Sequence, residues 1–274
     1  MSSARPSISI VIPAYNEAER IGRSLRAIAE YVRVSSEHFE VIVVDDGSTD
    51  GTSLVAEQSF PQTPNAQLRV LRYAPNRGKG HAVRYGLLAA QAPYAVFSDA
   101  DMSTPISELP KLLKGLVDGD ADVTFGSRAL DRSLIGVHQP RRRELGGRAF
   151  NLVLRLATGL PFWDTQCGFK AFRMNVCRPL VEAGTIDGFG FDIELLYEAN
   201  RAGLRMREIA VRWDHCDGSK VNFLRDGSRM LRDVLTVRKR GAYGFYDEGI
   251  HLAGAAARGN EAGRMGSVPG GAIA

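Results

Sequence analysis

In Tyr94-Ala95-Val96-Phe97-Ser98-Asp99-Ala100-Asp101 a short apolar run passes, without a turn residue, into two carboxylates separated by one small residue. Its length and composition predict a buried strand that ends at Ser98. Two acids so spaced at a strand end can share one hard cation and leave its other positions to diphosphate oxygens. An Asp-x-Asp pattern alone is common and reads equally well as a solvated acidic loop, so the surrounding chain must decide.

Upstream the pattern repeats. Residues 8–12 form an apolar run stopped by Pro13, residues 41–44 another closed by Asp45-Asp46-Gly47-Ser48, and residues 68–73 a third. Between them the spacing predicts helices over 17–32, with Asn16 ahead of the first turn, over 49–58 and over 79–90. Downstream, a helix over 105–117 leads to a strand over 121–125. Such alternation predicts an α/β domain with a mostly parallel central sheet flanked by helices. Ligands bind beyond the carboxyl ends of such strands. The polar segments Asn16-Glu17, Asp45-Asp46, Asp99 to Asp101 and Gly126-Ser127-Arg128 all fall there. The second half is less regular: helices over 148–157 and 193–202, a strand over 206–213, and a basic amphipathic helix over 227–240. The expected organisation is one domain over 1–240, in two halves at about 7–128 and 129–240. The Gly- and Ala-rich segment 241–274 is expected to be a largely disordered tail.

Each motif has an ordinary structural reading beside the chemical one. Ser48, Thr49 and Asp50 suit a helix cap, which leaves unexplained two adjacent acids at a buried strand end. Pro13-Ala14-Tyr15-Asn16-Glu17 serves as a turn and cap, or places Tyr15 and Glu17 against a base and ribose. Asn76-Arg77-Gly78-Lys79-Gly80 opens a helix as a phosphate cradle would, without the Walker spacing of a P-loop NTPase. No G-x-G-x-x-G follows the first strand, which counts against a dinucleotide-binding dehydrogenase. Arg128, Arg141, Arg142, Arg143 and Arg148 form a basic set suited to phosphate. His138 and His215 stand alone and are not read as metal ligands.

Composition narrows the class. The 274 residues are 44% hydrophobic and 24% charged, with a net charge of +4. Three cysteines without metal-ligand spacing argue against a disulfide framework and for a reducing compartment. No run approaches a membrane span and no signal-peptide pattern opens the chain, so the expected location is cytoplasmic, with peripheral membrane contact at most. The basic stretches lack interleaved aromatics, which disfavours nucleic acid.

These residues resemble family-two inverting glycosyltransferases of the glycosyltransferase-A fold. The resemblance rests on Val11 to Glu17, Val43 to Ser48, Asn76 to Gly80, Asp99-Ala100-Asp101 and Gly126-Ser127-Arg128. The segments Asp164-Thr165-Gln166-Cys167-Gly168-Phe169-Lys170, Phe191 to Leu196 and Asp217-Gly218-Ser219-Lys220 narrow it to the branch of dolichyl-phosphate β-glucosyltransferases and bacterial polyprenyl-phosphate glycosyltransferases. The resemblance implies that Pro13, Tyr15, Glu17 and Asp46 contact the nucleoside, with Asp45 nearby. It implies Mg²⁺ or Mn²⁺ at Asp99 and Asp101, diphosphate at Asp99-Ala100-Asp101 and Lys79, and phosphates at Arg128, Arg143 and Lys220. The implied donor is UDP-glucose and the implied acceptor a polyprenyl phosphate at a membrane surface. Mannosyl relatives offer a Gln as a further metal ligand where this chain has Ser103.

A phosphate acceptor is already a nucleophile, so positioning and charge stabilisation suffice. A hydroxyl acceptor would need a base, for which Asp192 is the candidate. A non-catalytic nucleotide-sugar-binding protein is the remaining alternative, and the intact Asp99 and Asp101 argue against it.

Overall fold

The computed structural model describes residues 5–137, 141–216 and 223–265; at 141–145, 148, 223–226 and 261–265 the description is of the backbone. Strands β1 (Ile8–Ala14), β2 (Phe39–Asp46), β3 (Ala66–Tyr73) and β4 (Tyr94–Ser98) alternate with helices α1 (Ala18–Arg33), α2 (Thr52–Ser59) and α3 (Lys79–Ala89). Helix α4 (Leu109–Val117) leads to β5 (Val123–Ser127) and β6 (Ile135–Val137). There follow α5 (Arg141–Thr158), β7 (Phe169–Arg173), α6 (Met174–Ala183) and α7 (Phe191–Arg201). Strands β8 (Met206–Ala210) and β9 (Trp213–Asp214) precede α8 (Phe223–Ala242) and α9 (Asp247–Met265).

Seven strands form the main sheet in the order β3-β2-β1-β4-β7-β5-β8. Among the described residues, β7 is the strand that runs antiparallel to both neighbours, β4 and β5. The mostly parallel sheet expected from the alternation is present, and its apolar runs are continuous because both faces are covered. Ile10, Ile12, Val41 and Val43 pack with Ile21 and Leu25 of α1 and Leu112 and Leu116 of α4. The intervening Val11, Ile42 and Val44 pack on the other face with Val83 and Leu87 of α3 and Val176 and Leu180 of α6. Each such buried aliphatic side chain stabilises the fold by ~1.5–3 kcal/mol.

Three expectations need correction. The strand expected over 206–213 is interrupted: after Ala210 the chain leaves the main sheet, and Trp213–Asp214 pair with β6 instead. Three elements, β6, β7 and α6, fall where the sequence suggested none. The segment beyond residue 240 is not a disordered tail across the described residues, because α9 packs into the core through Ile250, Ala253 and Ala257. Its small residues permit close helix approach; a Cβ at Gly249 would stand 2.9 Å from Ala183 Cβ. Residues 266–274 lie outside the described residues. No described helix is long and apolar enough to cross a membrane.

Next to α9, Tyr246 donates to Glu194 Oε1 at 2.8 Å, and Glu194 also receives the backbone N–H of Thr185 and Ile186. One turn on, Glu198 is fully buried with neither carboxylate oxygen partnered. Burial, and then the nearby Glu194 charge, push its pKa from 4.5 to about 9. The folded state therefore keeps a proton that the unfolded state loses, and stability falls as pH rises between those values. Glu198→Gln should raise the melting temperature by about 4 °C or more near pH 8, with the gain shrinking toward pH 5. A gain independent of pH in thermal scans would contradict this.

Candidate active site

The parallel strands bring their carboxyl ends to one edge: Ala14 pairs with Asp45, and Val11 with Phe97 just before Asp99. The antiparallel β7 brings its opposite end to the same edge, pairing Phe169 with Ser98. The loop before β7 therefore enters the site beside Asp99, whose N–H donates to Gly168 O at 3.1 Å. A side chain at 168 would collide with the Asp99 carboxylate, so glycine is required by close approach. Asn16 (φ 53°) and Met102 (φ 52°) occupy the left-handed region immediately beyond this edge. Such backbone strain concentrates at functional sites.

The first loop is held from its neighbour. The N–H groups of Asn16, Glu17 and Ala18 donate to Ser48 Oγ, Thr52 Oγ1 and Asp50 Oδ2 at 2.9, 2.8 and 3.1 Å. Asp50 thus caps two helices, accepting from the first residue of α1 and, at 3.0 Å, from Thr52 N at the start of α2, while Ser48 holds the loop ahead of α1. Asn16 does not cap; its Oδ1 accepts from Thr49 N at 2.9 Å. Pro13 is buried in β1, Tyr15 stands 41% exposed at the rim, and Glu17 is paired with Arg20 at 2.7 Å.

Asp45 and Asp46 are both buried, and each organises a loop. Asp45 accepts from Ser48 N at 2.8 Å and from the Ser53 hydroxyl, with Arg72 3.7 Å away. Asp46 accepts from Asn76 Nδ2, Arg77 N and Gly78 N at 2.8, 2.7 and 2.8 Å. This corrects the reading of residues 76–80 as an amide cradle for phosphate. Two of its amides bind Asp46, and those of Gly80 and His81 donate to Asp187 O at 2.8 and 3.3 Å. What the loop presents to the site is the Lys79 side chain, 2.5 Å from Asp99 Oδ1. Burial opposes the charge on Lys79, but Asp99 and Asp192 outweigh it and hold its pKa above the ordinary value.

Asp192 opens α7 and is buried, with Lys170 Nζ 2.5 Å from its Oδ1. Lys170 Nζ also donates to Cys167 O at 2.7 Å. Burial pushes the Asp192 carboxyl above the usual range, against the opposing pull of Lys170 and Lys79. Arg128, after β5, closes on Asp164 through Nε at 2.6 Å and Nη2 at 2.8 Å, and lies 5.6 Å from the Trp213 ring centroid. Burial works against the Arg128 charge, yet Asp164 keeps its pKa raised. The structure therefore brings Asp99, Lys79 and Asp192 into one charged group, with Asp101 two residues beyond Asp99. Arg143 lies in the first turn of α5, its side chain outside the description, and Lys220 lies outside the described residues. Sequence reasoning gave no role to Asp164, Gly168 or Lys170, although their shared segment carried the resemblance.

Asp99 and Asp101 are hard oxygen donors. Ala100 between them is buried, with its carbonyl accepting from Ser24 Oγ at 2.6 Å, so the intervening backbone is anchored. Asp101 Oδ1 accepts from Ser103 N at 3.0 Å. Among the described residues no group of three or more His, Cys, Asp or Glu forms a closed cage. The donor set fits an open Mg²⁺ or Mn²⁺ site completed by ligand oxygens and water.

The model of glycosyl transferase family 2 matches residues 9–180, and the chain belongs to that family. Dolichyl-phosphate beta-glucosyltransferase of Drosophila melanogaster is 36% identical over 241 residues, covering 84% of this chain and 74% of that one. The human protein of the same name is 32% identical over 249 residues, covering 87% and 76%. The structure of glucosyl-3-phosphoglycerate synthase from Mycobacterium tuberculosis with Mn²⁺, UDP-glucose and phosphoglyceric acid aligns with a TM-score of 0.63. At 22% identity, covering 85% of this chain and 79% of that one, this likeness is one of fold. The fold is glycosyltransferase-A.

Asp46 is buried and holds three donors, whereas Tyr15 stands exposed at the rim. Asp46→Ala removes the acceptor for three donors and should destabilise the protein by about 3 kcal/mol. Tyr15→Ala should leave the unfolding midpoint unchanged. Denaturant unfolding checks both, and an unshifted midpoint for Asp46→Ala would refute its loop-holding role.

Proposed function

We propose that this protein transfers glucose from UDP-glucose to the phosphate of a polyprenyl or dolichyl phosphate, with inversion at the anomeric carbon. The donor and acceptor classes are supported by the names of the relatives that match most of the chain, and the sugar nucleotide also by the fold neighbour's ligand. The observation that carries the choice of acceptor is the buried Lys170–Asp192 pair. Asp192 is the carboxylate the sequence offers as a base, and it is committed to a lysine beneath the site. A phosphate acceptor needs no base, because it is already ionised near neutral pH.

In this reading Tyr15 and Glu17 flank the nucleoside, while Asp46 and Asp45 hold the loops that surround it. Asp99 and Asp101 would hold a divalent cation, which when bound stabilises the charge of the departing nucleoside diphosphate. Lys79 adds a positive charge at the same place. Arg128, fixed by Asp164, and Arg143 at the start of α5 bind and orient the acceptor phosphate. Catalysis is then positioning plus electrostatics.

The test is transfer of labelled glucose from UDP-glucose into an organic-extractable product, with Mg²⁺ or Mn²⁺, in the presence and absence of a short polyprenyl phosphate. Product should form only with the lipid phosphate. Asp101→Ala should lower turnover by about 100-fold or more with an unchanged circular-dichroism melt. Arg143→Ala should raise KM for the lipid phosphate while sparing UDP affinity. Efficient transfer to a neutral alcohol without the lipid would overturn the acceptor assignment.

A further inference from the structure

Helix α5 is apolar on two sides. Phe150, Leu154 and Ala157 pack inward with Ile193, Met230 and Val234. On the rest of the helix Leu152, Val153 and Leu156 are 53%, 45% and 78% exposed. A helix with one side on a core normally carries polar residues on the other. Beside this outer face Trp163 is 56% exposed, with the Arg155 guanidinium 3.9 Å from its ring centroid. Its backbone is fixed: the N–H groups of Trp163 and Asp164 both donate to the Glu208 carboxylate, at 2.9 and 2.7 Å. An exposed tryptophan on a clamped backbone is a presented surface.

We propose that the outer face of α5, with Trp163, docks the protein on an anionic lipid bilayer and so sets the site at the headgroups. This rests on the reading of the acceptor as a lipid phosphate. The charge distribution selects a bilayer. From 146 to 158, α5 carries Arg148 and Arg155 and no acid. The adjoining α8 exposes Arg229, Arg232, Arg238 and Lys239 along with Leu231 and Leu235. The one acid of α8 between 227 and 242, Asp233, lies against Gly190. Apolar residues among arginines, with a tryptophan at the boundary, suit the zone between acyl chains and anionic headgroups. A second copy on the same patch would set arginines against arginines. The surface also adjoins the site, because Trp163 is followed directly by Asp164, the partner of Arg128.

Co-sedimentation with vesicles of phosphatidylglycerol and phosphatidylcholine, containing no polyprenyl phosphate, tests the surface apart from the reaction. The full chain should bind these vesicles and leave neutral phosphatidylcholine vesicles largely unbound. The Leu152→Glu/Leu156→Glu variant, altered at exposed positions, should partition about tenfold less or lower while transferring glucose to a water-soluble short-chain polyprenyl phosphate at the wild-type rate. In a Trp213→Phe chain, Trp163 emission should be quenched by brominated lipid. Equal vesicle binding by the double variant would overturn the proposal, as would a wild-type dimer that the variant converts to monomer without vesicle binding. Normal vesicle behaviour without transfer to any polyprenyl phosphate would instead overturn the acceptor assignment and support the docking surface.

Discussion

The floor of the site depends on one buried ion pair, Lys170 with Asp192. Lys170 is fully buried in a central strand of the sheet, and Asp192 is buried at the first turn of α7. Taking two such charges out of water is costly, and apolar residues of similar volume would often be as stable. What the pair supplies is position. It joins β7 to α7, and its lysine also holds the Cys167 carbonyl, one residue before the glycine on which Asp99 lies. Above it, Asp192 contributes to holding Lys79 charged, and Lys79 meets Asp99. Acids and bases therefore alternate from the core to the edge of the sheet, and each charge is held by the next.

A similar arrangement holds at the end of β2. Asp45 and Asp46 are adjacent in sequence, so in a strand they point to opposite faces, and each gathers a different loop. One holds the turn over the start of α2, the other the loop that delivers Lys79. Their burial and their bonds to loop amides make these acids structural. Arg128 shows the reverse arrangement, a cation locked by the buried Asp164 so that its guanidinium has one orientation beside Trp213.

Much of this was legible from the residues. The strands ending at Ala14, Asp46, Ser98 and Ser127 declare themselves as apolar runs closed by polar residues, because both faces of a parallel sheet are buried. Strand β7 did not, since Phe169-Lys170-Ala171-Phe172-Arg173 has a lysine at its centre, and only the distant Asp192 makes burial there tolerable. Helix α9 was hidden for another reason. Its Gly- and Ala-rich sequence matches the composition of a flexible tail, yet small residues are what close packing on α6 requires. The amide cradle at 76–80 failed as a reading because its hydrogen-bond acceptors, Asp46 and Asp187, come from elsewhere in the chain.

Direct displacement of UDP by the acceptor phosphate, as proposed, inverts the anomeric carbon. The anomeric configuration of the product tests it most directly. Proton NMR of glucosyl phospholipid made from UDP-α-glucose should show the large H1–H2 coupling of a β-glucosyl phosphate as the initial product. An α-linked initial product, which requires retention, would contradict direct displacement.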